Sequence, residues 1–347
     1  VLSRRQRQMC IRDRIKGLAA ENTIIYAPCH RSHIDYLALS HQLYLNNLMM
    51  PQIVAGKNLN LPIIGPILRN GGAFFMRRSF GDNKLYSRVF YEHLRKLLQR
   101  GSSIEFFPEG GRSRSGRLLP ARPGIISMLV RAFQDMDEKP VKFVPISMNY
   151  EKVLEGNSYL KETLGDTKKK ESLGSILRVA RDFRGYLGNA YLQIGEPIDL
   201  KEFLDKNCEN WRNNIISEDL DNSPNQQWLY DITPKLGKKI MTNINKATVV
   251  TPSAVFASAI LNANKFSLSR EKLIARIKLY LELVNLSEYS DQIKISETDP
   301  EKIILKVEKL KLIDEIPKSK KIKLKFQQAA MLSCLLYTSD AADDLGR

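Results

Sequence analysis

The sequence contains no apolar run long enough to cross a membrane. A membrane-spanning helix needs about 18–20 consecutive apolar residues, and the longest apolar stretches, 61–68 and 254–263, are broken by prolines or too short. Residues 1–14 are charged and lack the apolar centre of a secretory signal. The sequence therefore predicts neither a membrane-spanning helix nor a secretory signal.

Cysteine is also scarce. Cys10, Cys29, Cys208 and Cys334 lie far apart and form no C-x-x-C pair. This spacing excludes a disulfide scaffold, a zinc knuckle and a redox dithiol. We therefore expect a reducing compartment and no bound metal.

Acidic residues are fewer than basic residues. The 347 residues include 54 Lys and Arg and 38 Asp and Glu, which gives a formal net charge of +16. The 13 Phe and 13 Tyr spread along the chain exclude a disordered protein. The length fits one large domain or two. Basic proteins favour anionic partners, which here means nucleic acid, phosphorylated metabolites, acidic carrier proteins or an anionic membrane surface.

The two ends of the chain differ in style from its interior. Residues 1–14 and a segment that starts near Ser333 resemble translated sequencing-adapter DNA. We interpret 1–14 and 333–347 as foreign to the natural protein and leave them out of the fold prediction. This hypothesis implies that the natural protein continues past both ends.

Strand-like runs alternate with helical patterns over residues 15–200, which is typical of an α/β domain. We predict helices after Ser32, from a cap at Asp82 or Asn83, and from Pro123 onward. The strand-like runs are 23–27, 52–55, 73–76, 103–107, 142–148 and 190–194.

Residues 201–332 read as mainly helical. One helix is predicted to begin at Pro234, and Ser269 is predicted to cap another. Residues 321–326 alternate strictly between lysine and apolar residues, which predicts a strand. We expect this strand at the edge of a sheet, where lysine side chains discourage pairing with another chain. The basic run 168–170 is predicted to be a solvated loop.

His30 and Asp35 directly follow the first predicted strand. Histidine can take a proton from a hydroxyl near neutral pH, and a carboxylate bound to its other nitrogen fixes the tautomer. On one helix this spacing would point the two side chains about 140° apart, so they meet only if His30 lies in a loop and Asp35 in the first turn of a helix capped by Ser32. The alternative is a capping box, in which Asp35 only satisfies backbone donors.

Three further segments carry a notable pattern. Residues 71–78 (GGAFFMRR) are a strand pattern that ends in Arg77 and Arg78, which point to opposite faces if the strand continues. Residues 106–117 (FFPEGGRSRSGR) combine paired glycines with arginines and serines, a composition that suits a phosphate loop or RNA contact. Residues 144–147 (VPIS) place a proline inside a strand pattern, which predicts an edge or a strand end.

Taken in this order, segments 30–35, 71–78, 106–117 and 144–147 resemble the four acyltransferase blocks of the glycerol-3-phosphate acyltransferase family, the large bacterial membrane-associated type. The H-x4-D pattern alone is weak, whereas four blocks in register are highly specific. The similarity runs from about 15 to about 332. It implies an α/β H-x4-D acyltransferase fold, with a mixed β-sheet flanked by helices and a mainly helical C-terminal region.

The resemblance also implies a reaction: transfer of a fatty acyl group from acyl-CoA or acyl carrier protein to sn-glycerol 3-phosphate, giving lysophosphatidate. His30 would be the general base and Asp35 its orienting partner. Arg78, with Arg77, would hold the phosphate. No cofactor and no metal are expected, since the acyl thioester is a co-substrate. No acyl-enzyme is expected either, and Cys29 is predicted to point into the core.

The remaining blocks supply the other implied site residues. Glu109 and Gly110 would shape the acceptor site, Arg112 and Arg114 would add positive charge, and Pro145 would line the pocket. The implied partners are glycerol 3-phosphate, the acyl donor and an anionic membrane surface. Membrane contact is a hypothesis that rests on the acyl substrate, the excess of basic residues and the apolar residues 59–68. We expect it to be peripheral, on the cytoplasmic face of the bacterial inner membrane.

Three alternatives stay open. A sister enzyme would acylate lysophosphatidate or dihydroxyacetone phosphate, although the Arg-Ser-His filling of the first block and GGAFFMRR favour glycerol 3-phosphate. A truncated fragment would fold without being active. A nucleic-acid-binding protein would show tight, salt-dependent binding to oligonucleotides and no dependence on His30; we predict no nucleic-acid partner.

Overall fold

The protein is built on a seven-stranded sheet in the computed structural model, which describes residues 15–77, 83–136, 139–153, 155–156, 188–212, 227–314 and 321–336. The strands are β1 (Thr23–Pro28), β2 (Gln52–Gly56), β3 (Ala73–Met76), β4 (Ile104–Glu105), β5 (Val141–Tyr150), β6 (Ala190–Ile194) and β7 (Ile198–Asp199). Their order across the sheet is β3-β2-β4-β1-β5-β6, and β7 also pairs with β5.

The sheet is mixed, as predicted. Strands β1 to β5 run parallel to their neighbours, whereas β6 and β7 run antiparallel to β5. Parallel strands all end at the same edge of a sheet, so the segments that follow β1, β3, β4 and β5 gather there. Blocks 30–35 and 106–117 thus share one edge of the sheet, and block 71–78 reaches that edge at Arg77, whereas block 144–147 lies within β5 beside the last residues of β1.

The helices that accompany the parallel strands in the described residues include α1 (Asp35–Leu45), α2 (Ile64–Asn70), α3 (Lys84–Gln99) and α4 (Pro123–Gln134). Asn83 caps α3 by accepting from the backbone N–H of Tyr86 at 2.9 Å, and α4 begins at Pro123. Ser32 lies in the turn that leads into α1, and its hydroxyl oxygen accepts from the backbone N–H of Ile34 at 3.3 Å, as expected of a helix cap. The same hydroxyl donates to Glu155 at 2.8 Å, and Ile34, the residue directly before α1, gives no side-chain cap.

The first hydrophobic core lies on both sides of the sheet. All six residues of β1 are buried, which explains why this strand is a continuous apolar run rather than an alternating one. Tyr26, Phe106 and Phe143 are among the largest fully buried side chains. This two-sided burial fixes the position of the loop that follows β1.

Pro145 lies in the interior of β5, the longest strand, and not at an edge. It stands opposite Ala27 of β1, and its carbonyl accepts from the N–H of Gly195 at 2.9 Å. Gly195 lies between β6 and β7, so the antiparallel neighbour of β5 is interrupted at this point. A proline without an N–H group is tolerated here because no ladder donor is needed beside the interruption.

The C-terminal region is mainly helical, as predicted. Its helices are α5 (Leu200–Asn207), α6 (Gln227–Lys246), α7 (Pro252–Leu261), α8 (Arg270–Leu286), α9 (Pro300–Lys309) and α10 (Phe326–Leu336). Two short pairs join them: β8 (Val249–Val250) with β10 (Lys294–Ile295), and β9 (Ser267–Leu268) with β11 (Ile322–Lys323). A second hydrophobic core lies among α7 to α10.

The C-terminal region agrees with one of its predicted helix starts and differs from the other. Ser269 caps α8 as predicted, but α6 begins at Gln227 and contains Pro234 in its interior. The strand predicted over 321–326 is only two residues long and pairs with β9 rather than with the main sheet. The basic run 168–170 lies outside the described residues.

Where the structure is described, no helix is both long and apolar enough to span a membrane.

Candidate active site

His30 and Asp35 meet where β1 ends. His30 lies in the loop after β1, Asp35 is the first residue of α1, and the imidazole Nδ1 is 2.8 Å from Asp35 Oδ2. This is the loop-and-first-turn arrangement that the spacing predicts. With Nδ1–H donating to the carboxylate, Nε2 is the ring nitrogen that can accept a proton from a hydroxyl. The pair has the geometry of a general base and its orienting carboxylate.

Asp35 accepts more hydrogen bonds than the one from His30. Its side chain is fully buried, and Oδ2 also accepts from the backbone N–H groups of Arg31 at 2.6 Å and Ser32 at 2.9 Å. Oδ1 accepts from the hydroxyl of Tyr150 at 2.5 Å. One carboxylate therefore satisfies backbone donors and orients the histidine, so the two interpretations of Asp35 hold together.

Phe107 and Glu109, which follow β4, hold His30 in place. The Phe107 ring stacks on the imidazole with centroids 4.0 Å apart. Glu109 is buried, and its two oxygens accept from the backbone N–H groups of His30 at 2.7 Å and Leu119 at 2.8 Å. Burial raises the pKa of Glu109, and the nearby charge of Arg31 opposes that rise. Glu109 shapes the site by supporting the backbone of the histidine.

Gly110 occupies a position that a side chain would disturb. Its φ is +65°, and an added Cβ would lie 2.8 Å from Cγ of Arg122. Its N–H closes a turn by donating to the carbonyl of Phe107 at 3.0 Å. Glycine is thus required for the turn that carries Glu109 into place.

A cationic cavity opens beside the histidine loop. The N–H of Ser113 donates to the carbonyl of His30 at 2.9 Å, so the cavity wall starts next to the dyad. Arg31, Ser113, Arg114 and Lys152 line the cavity together with Met331, Cys334 and Leu335 of α10, and apolar atoms supply most of its surface. Cys334 and Leu335 belong to the segment 333–347 that we interpret as foreign to the natural protein. Positive side chains and a serine hydroxyl suit an anionic group such as a phosphate.

Arg112 turns toward a carboxylate that the sequence prediction missed. Its guanidinium is 3.6 Å from Glu155 Oε1, and Glu155 also accepts from the Ser32 hydroxyl and the His33 N–H, both at 2.8 Å. Glu155 thereby joins the loop after β4 to the loop after β1. Its position just after β5, the neighbour of β1, is the signal that could have identified it.

The other predicted residues lie apart from this cluster or beyond the described residues. Arg77 is exposed at the end of β3, with its guanidinium 4.6 Å from the ring centre of Tyr86. Strand β3 is three strand spacings, or about 14 Å, from β1. Arg78 lies outside the described residues, and Pro145 is buried within β5. The structure thus brings Glu109 to the dyad and Gly110 to the turn beside it, and it places Arg112 at Glu155 and Arg114 at the neighbouring cavity, whereas Arg77 lies apart and Pro145 is buried in β5.

Cys29 precedes His30 and is the residue a covalent mechanism would use. It is buried, its sulfur contacts the backbone of Met148, and burial raises its pKa to about 12. Such a thiol is a poor nucleophile. Among the residues that the structure describes, no three His, Cys, Asp or Glu side chains are grouped to hold a metal.

Two protein families match successive parts of the chain. Residues 11–149 match the family described as Acyltransferase, and residues 159–335 match the Glycerol-3-phosphate acyltransferase C-terminal region. Similar curated proteins include the glycerol-3-phosphate acyltransferase of Pseudomonas aeruginosa, 42% identical over 303 residues. That of Histophilus somni is 41% identical over 307 residues. Each alignment covers 87% of this chain, and the chain spans 36–37% of the length of these relatives.

The fold, the dyad and the first match define an acyltransferase of the H-x4-D class. The match to the C-terminal region, which covers half of the chain, narrows the class, and the chain belongs to the glycerol-3-phosphate acyltransferase family. Among solved structures, the 1-acyl-sn-glycerophosphate acyltransferase PlsC of Thermotoga maritima is 15% identical, covers 69% of this chain and 83% of its own, and has a TM-score of 0.30. That score is too low to carry an argument.

Proposed function

We propose that this chain carries the acyl-transfer site of a glycerol-3-phosphate 1-O-acyltransferase. The observation that carries the proposal is the His30–Asp35 pair, joined at 2.8 Å, beside a cavity lined by Arg31, Arg114 and Lys152. A base next to a cationic cavity suits an acceptor that holds a hydroxyl and a phosphate in one small molecule. The family membership supports the same acceptor.

In the proposed step, Nε2 of His30 takes the proton of the acceptor 1-hydroxyl while the hydroxyl oxygen attacks the thioester carbonyl carbon. The C–S bond breaks as the ester forms, and the leaving thiolate takes the proton from the imidazolium. His30 returns to its neutral form. General base catalysis contributes roughly 10²–10⁴-fold, and Asp35 stabilises the imidazolium while it exists.

The acceptor phosphate would lie in the cationic cavity, with Arg114 and Lys152 as charged partners and Ser113 as a hydroxyl donor. This assignment adds the third block to the predicted phosphate ligands: Arg77 lies at the far strand of the parallel group, whereas Arg78 lies outside the described residues and its role stays a prediction. Arg112 supports the cavity through Glu155. The acyl donor would be acyl-CoA or acyl carrier protein, both anionic and both attracted by a chain of net charge +16.

We also propose that the chain binds peripherally to an anionic membrane, on the cytoplasmic face of the bacterial inner membrane. Residues 36–81 include no Asp or Glu and four Lys or Arg. This segment exposes large apolar side chains, which together we call the acid-free surface: Leu37, Tyr44, Leu45, Met49, Ile63 and Ile67. Apolar insertion combined with attraction to anionic lipids is how peripheral proteins bind membranes.

The test of the acyl-transfer proposal is thiol release from palmitoyl-CoA in detergent, with glycerol 3-phosphate, lysophosphatidate, dihydroxyacetone phosphate or no acceptor. We expect release that requires glycerol 3-phosphate. His30→Ala should reduce the rate by about 10²–10⁴-fold. His41→Ala is the matched control, because His41 is exposed on α1 and should leave the rate unchanged.

Release with lysophosphatidate or dihydroxyacetone phosphate alone would assign a sister reaction. Release that persists in His30→Ala would contradict the role of the base. If the folded wild-type chain releases no thiol, the proposed activity fails for this chain.

A further inference from the structure

Tyr150 closes the buried side of the dyad. It is the last residue of β5, the strand beside β1, and only 5% of its side chain is exposed. Its hydroxyl lies 2.5 Å from Asp35 Oδ1, whereas the donors from His30, Arg31 and Ser32 all go to Oδ2. The two carboxylate oxygens therefore have different hydrogen-bond partners, and Tyr150 donates to the oxygen that does not contact the histidine.

We propose that Tyr150 is a positioning residue for acyl transfer, which holds the Asp35 carboxylate so that Oδ2 faces Nδ1 of His30. The inference rests on the proposed function, because the dyad is the base in that reaction. Rotation about the Cβ–Cγ bond moves both carboxylate oxygens, so a hydrogen bond on Oδ1 adds to the three bonds on Oδ2 in resisting that rotation. Because the carboxylate orients the imidazole ring, the direction in which Nε2 of His30 points depends on how firmly the carboxylate is held.

The hydroxyl of Tyr150 is suited to this duty because it remains protonated. Burial, together with the charge of Asp35, holds the pKa of Tyr150 well above its usual value. The hydroxyl is thus a neutral donor to a charged acceptor, which makes a strong hydrogen bond without adding charge to the site.

The bond between Tyr150 and Asp35 also sets the proton affinity of the dyad. When His30 is protonated, the imidazolium compensates the charge of Asp35, and the Tyr150 bond matters less. When His30 is neutral, Asp35 carries an uncompensated charge, and the bond matters more. Loss of the hydroxyl therefore destabilises the neutral-imidazole state and raises the pKa of His30.

Other ionisable groups also face the dyad. They are Cys29 at the end of β1, Arg31 in the same loop, Glu105 on β4, Glu109 after β4 and Glu155 after β5. Because none of them changes in a Tyr150 variant, they act as a constant background. A shift in the pKa of His30 then reports the loss of the Tyr150 hydroxyl.

The experiment compares Tyr150→Phe with Tyr191→Phe, its matched control. Tyr191 also donates to a buried carboxylate, Glu151, at 2.7 Å, but on β6 and away from the dyad. We expect Tyr150→Phe to reduce kcat by about tenfold at unchanged KM for glycerol 3-phosphate. The acid limb of the kcat/KM profile should move up by about half a pH unit. Tyr191→Phe should change neither.

A direct titration separates this proposal from the proposed function. The chain has four histidines, so NMR of the isotope-labelled imidazoles resolves His30 without any need for turnover. An upward shift of the His30 pKa in Tyr150→Phe supports positioning even if no acyl transfer is detected. An unshifted pKa, or an equal shift in Tyr191→Phe, overturns it.

A second variant decides the matter if Tyr150→Phe does not fold. Replacing Tyr150 by 3-fluorotyrosine keeps the shape of the ring and gives a more acidic, stronger donor. The pKa of His30 should then move down, opposite to the effect of phenylalanine. An upward shift or no shift would contradict the role of Tyr150.

Discussion

The two parts of the molecule bury different kinds of side chain. In the part of the chain that the structure describes, every buried charged residue lies between 31 and 155: Arg31, Asp35, Glu105, Glu109, Arg131, Glu151 and Glu155. Described residues 227–336 bury threonine, serine and asparagine but no charged side chain. In the described residues, buried charge thus lies in the α/β part, with Asp35, Glu109 and Glu155 at or beside the dyad, and the C-terminal core is held by apolar packing.

This difference shows where the fold supports function at a cost to stability. A buried charge is costly unless it is paired and hydrogen-bonded, and Asp35, Glu109 and Glu155 each accept several hydrogen bonds from the loops that form the site. Removing one partner would leave such a charge unsatisfied. The C-terminal core has no such dependence on charge, so the two regions should respond differently to mutation and to pH.

The largest stability effect is expected in the C-terminal core. Leu273 is fully buried on α8, so Leu273→Ala should lower the free energy of unfolding by about 2–5 kcal/mol. Because no charged group is buried near it, the loss should be the same at pH 5 and pH 8. Urea unfolding at both values measures it, with exposed Leu279→Ala on the same helix as control. A loss of stability that changes with pH would contradict the expectation that the C-terminal core does not depend on charge.

Glu105 gives the opposite response in the α/β region. It is fully buried on β4, and neither carboxylate oxygen has a hydrogen-bond partner in the described structure. Burial first, and then the charge of Asp35, raise its pKa well above the usual value. The folded chain therefore keeps Glu105 protonated at a pH where the unfolded chain has released the proton. Its contribution to stability is present below about pH 4.3, the pKa of an unfolded glutamate, and is lost as pH rises toward the raised value.

Glu105→Met should remove this pH dependence. The apolar side chain leaves no buried polar atom, so we expect the free energy of unfolding at pH 8 to increase by about 1–3 kcal/mol. The gain should shrink as the pH falls toward 4. Thermal unfolding between pH 4 and pH 8 measures both trends, with Glu282→Met, on α8 of the C-terminal region, as the control. Equal stability of Glu105→Met and wild type at pH 8 would show that Glu105 is not a costly buried acid.

Local signals in the sequence predicted most of the fold. Strands such as 23–27 are short apolar runs between turn residues, and Asn83, Pro123 and Ser269 act at helix starts by bonds to nearby backbone or by a fixed φ. The prediction that a helix begins at Pro234 is wrong, because packing of Leu236 and other buried residues maintains α6 across the proline. Propensity gives way to tertiary packing at such positions.

The candidate site was predicted only where its residues belong to a compact motif. His30, Asp35, Glu109 and the arginines after Gly110 lie in two short segments. Tyr150 and Glu155 reach the dyad through the pairing of β5 with β1, at sequence separations of 115 and 123 residues from their partners. Spacing along the chain holds no information about such contacts, so the strand order must be known first.

The smallest effect, on membrane binding, is expected from exposed side chains. Here the two regions are compared by their surfaces and not by their cores. The acid-free surface and helix α8 both expose large apolar residues, but only the first lies in a segment without acidic residues. Replacing both Ile63 and Ile67 by aspartate should reduce sedimentation with phosphatidylglycerol vesicles at low salt by about tenfold, since partial insertion of each isoleucine contributes about 0.7 kcal/mol, a fraction of the roughly 1.5–3 kcal/mol of full burial. The matched control replaces Leu279 and Leu283 by aspartate.

Both double variants add the same charge to exposed positions, with 65% and 64% exposure for the isoleucines and 52% and 46% for the leucines. General repulsion from anionic lipid therefore acts equally on the two proteins. Only insertion of the acid-free surface distinguishes them, and neutral vesicles should bind both weakly. Equal loss in the two double variants would mean that net charge alone binds this chain to the membrane, whatever face it presents.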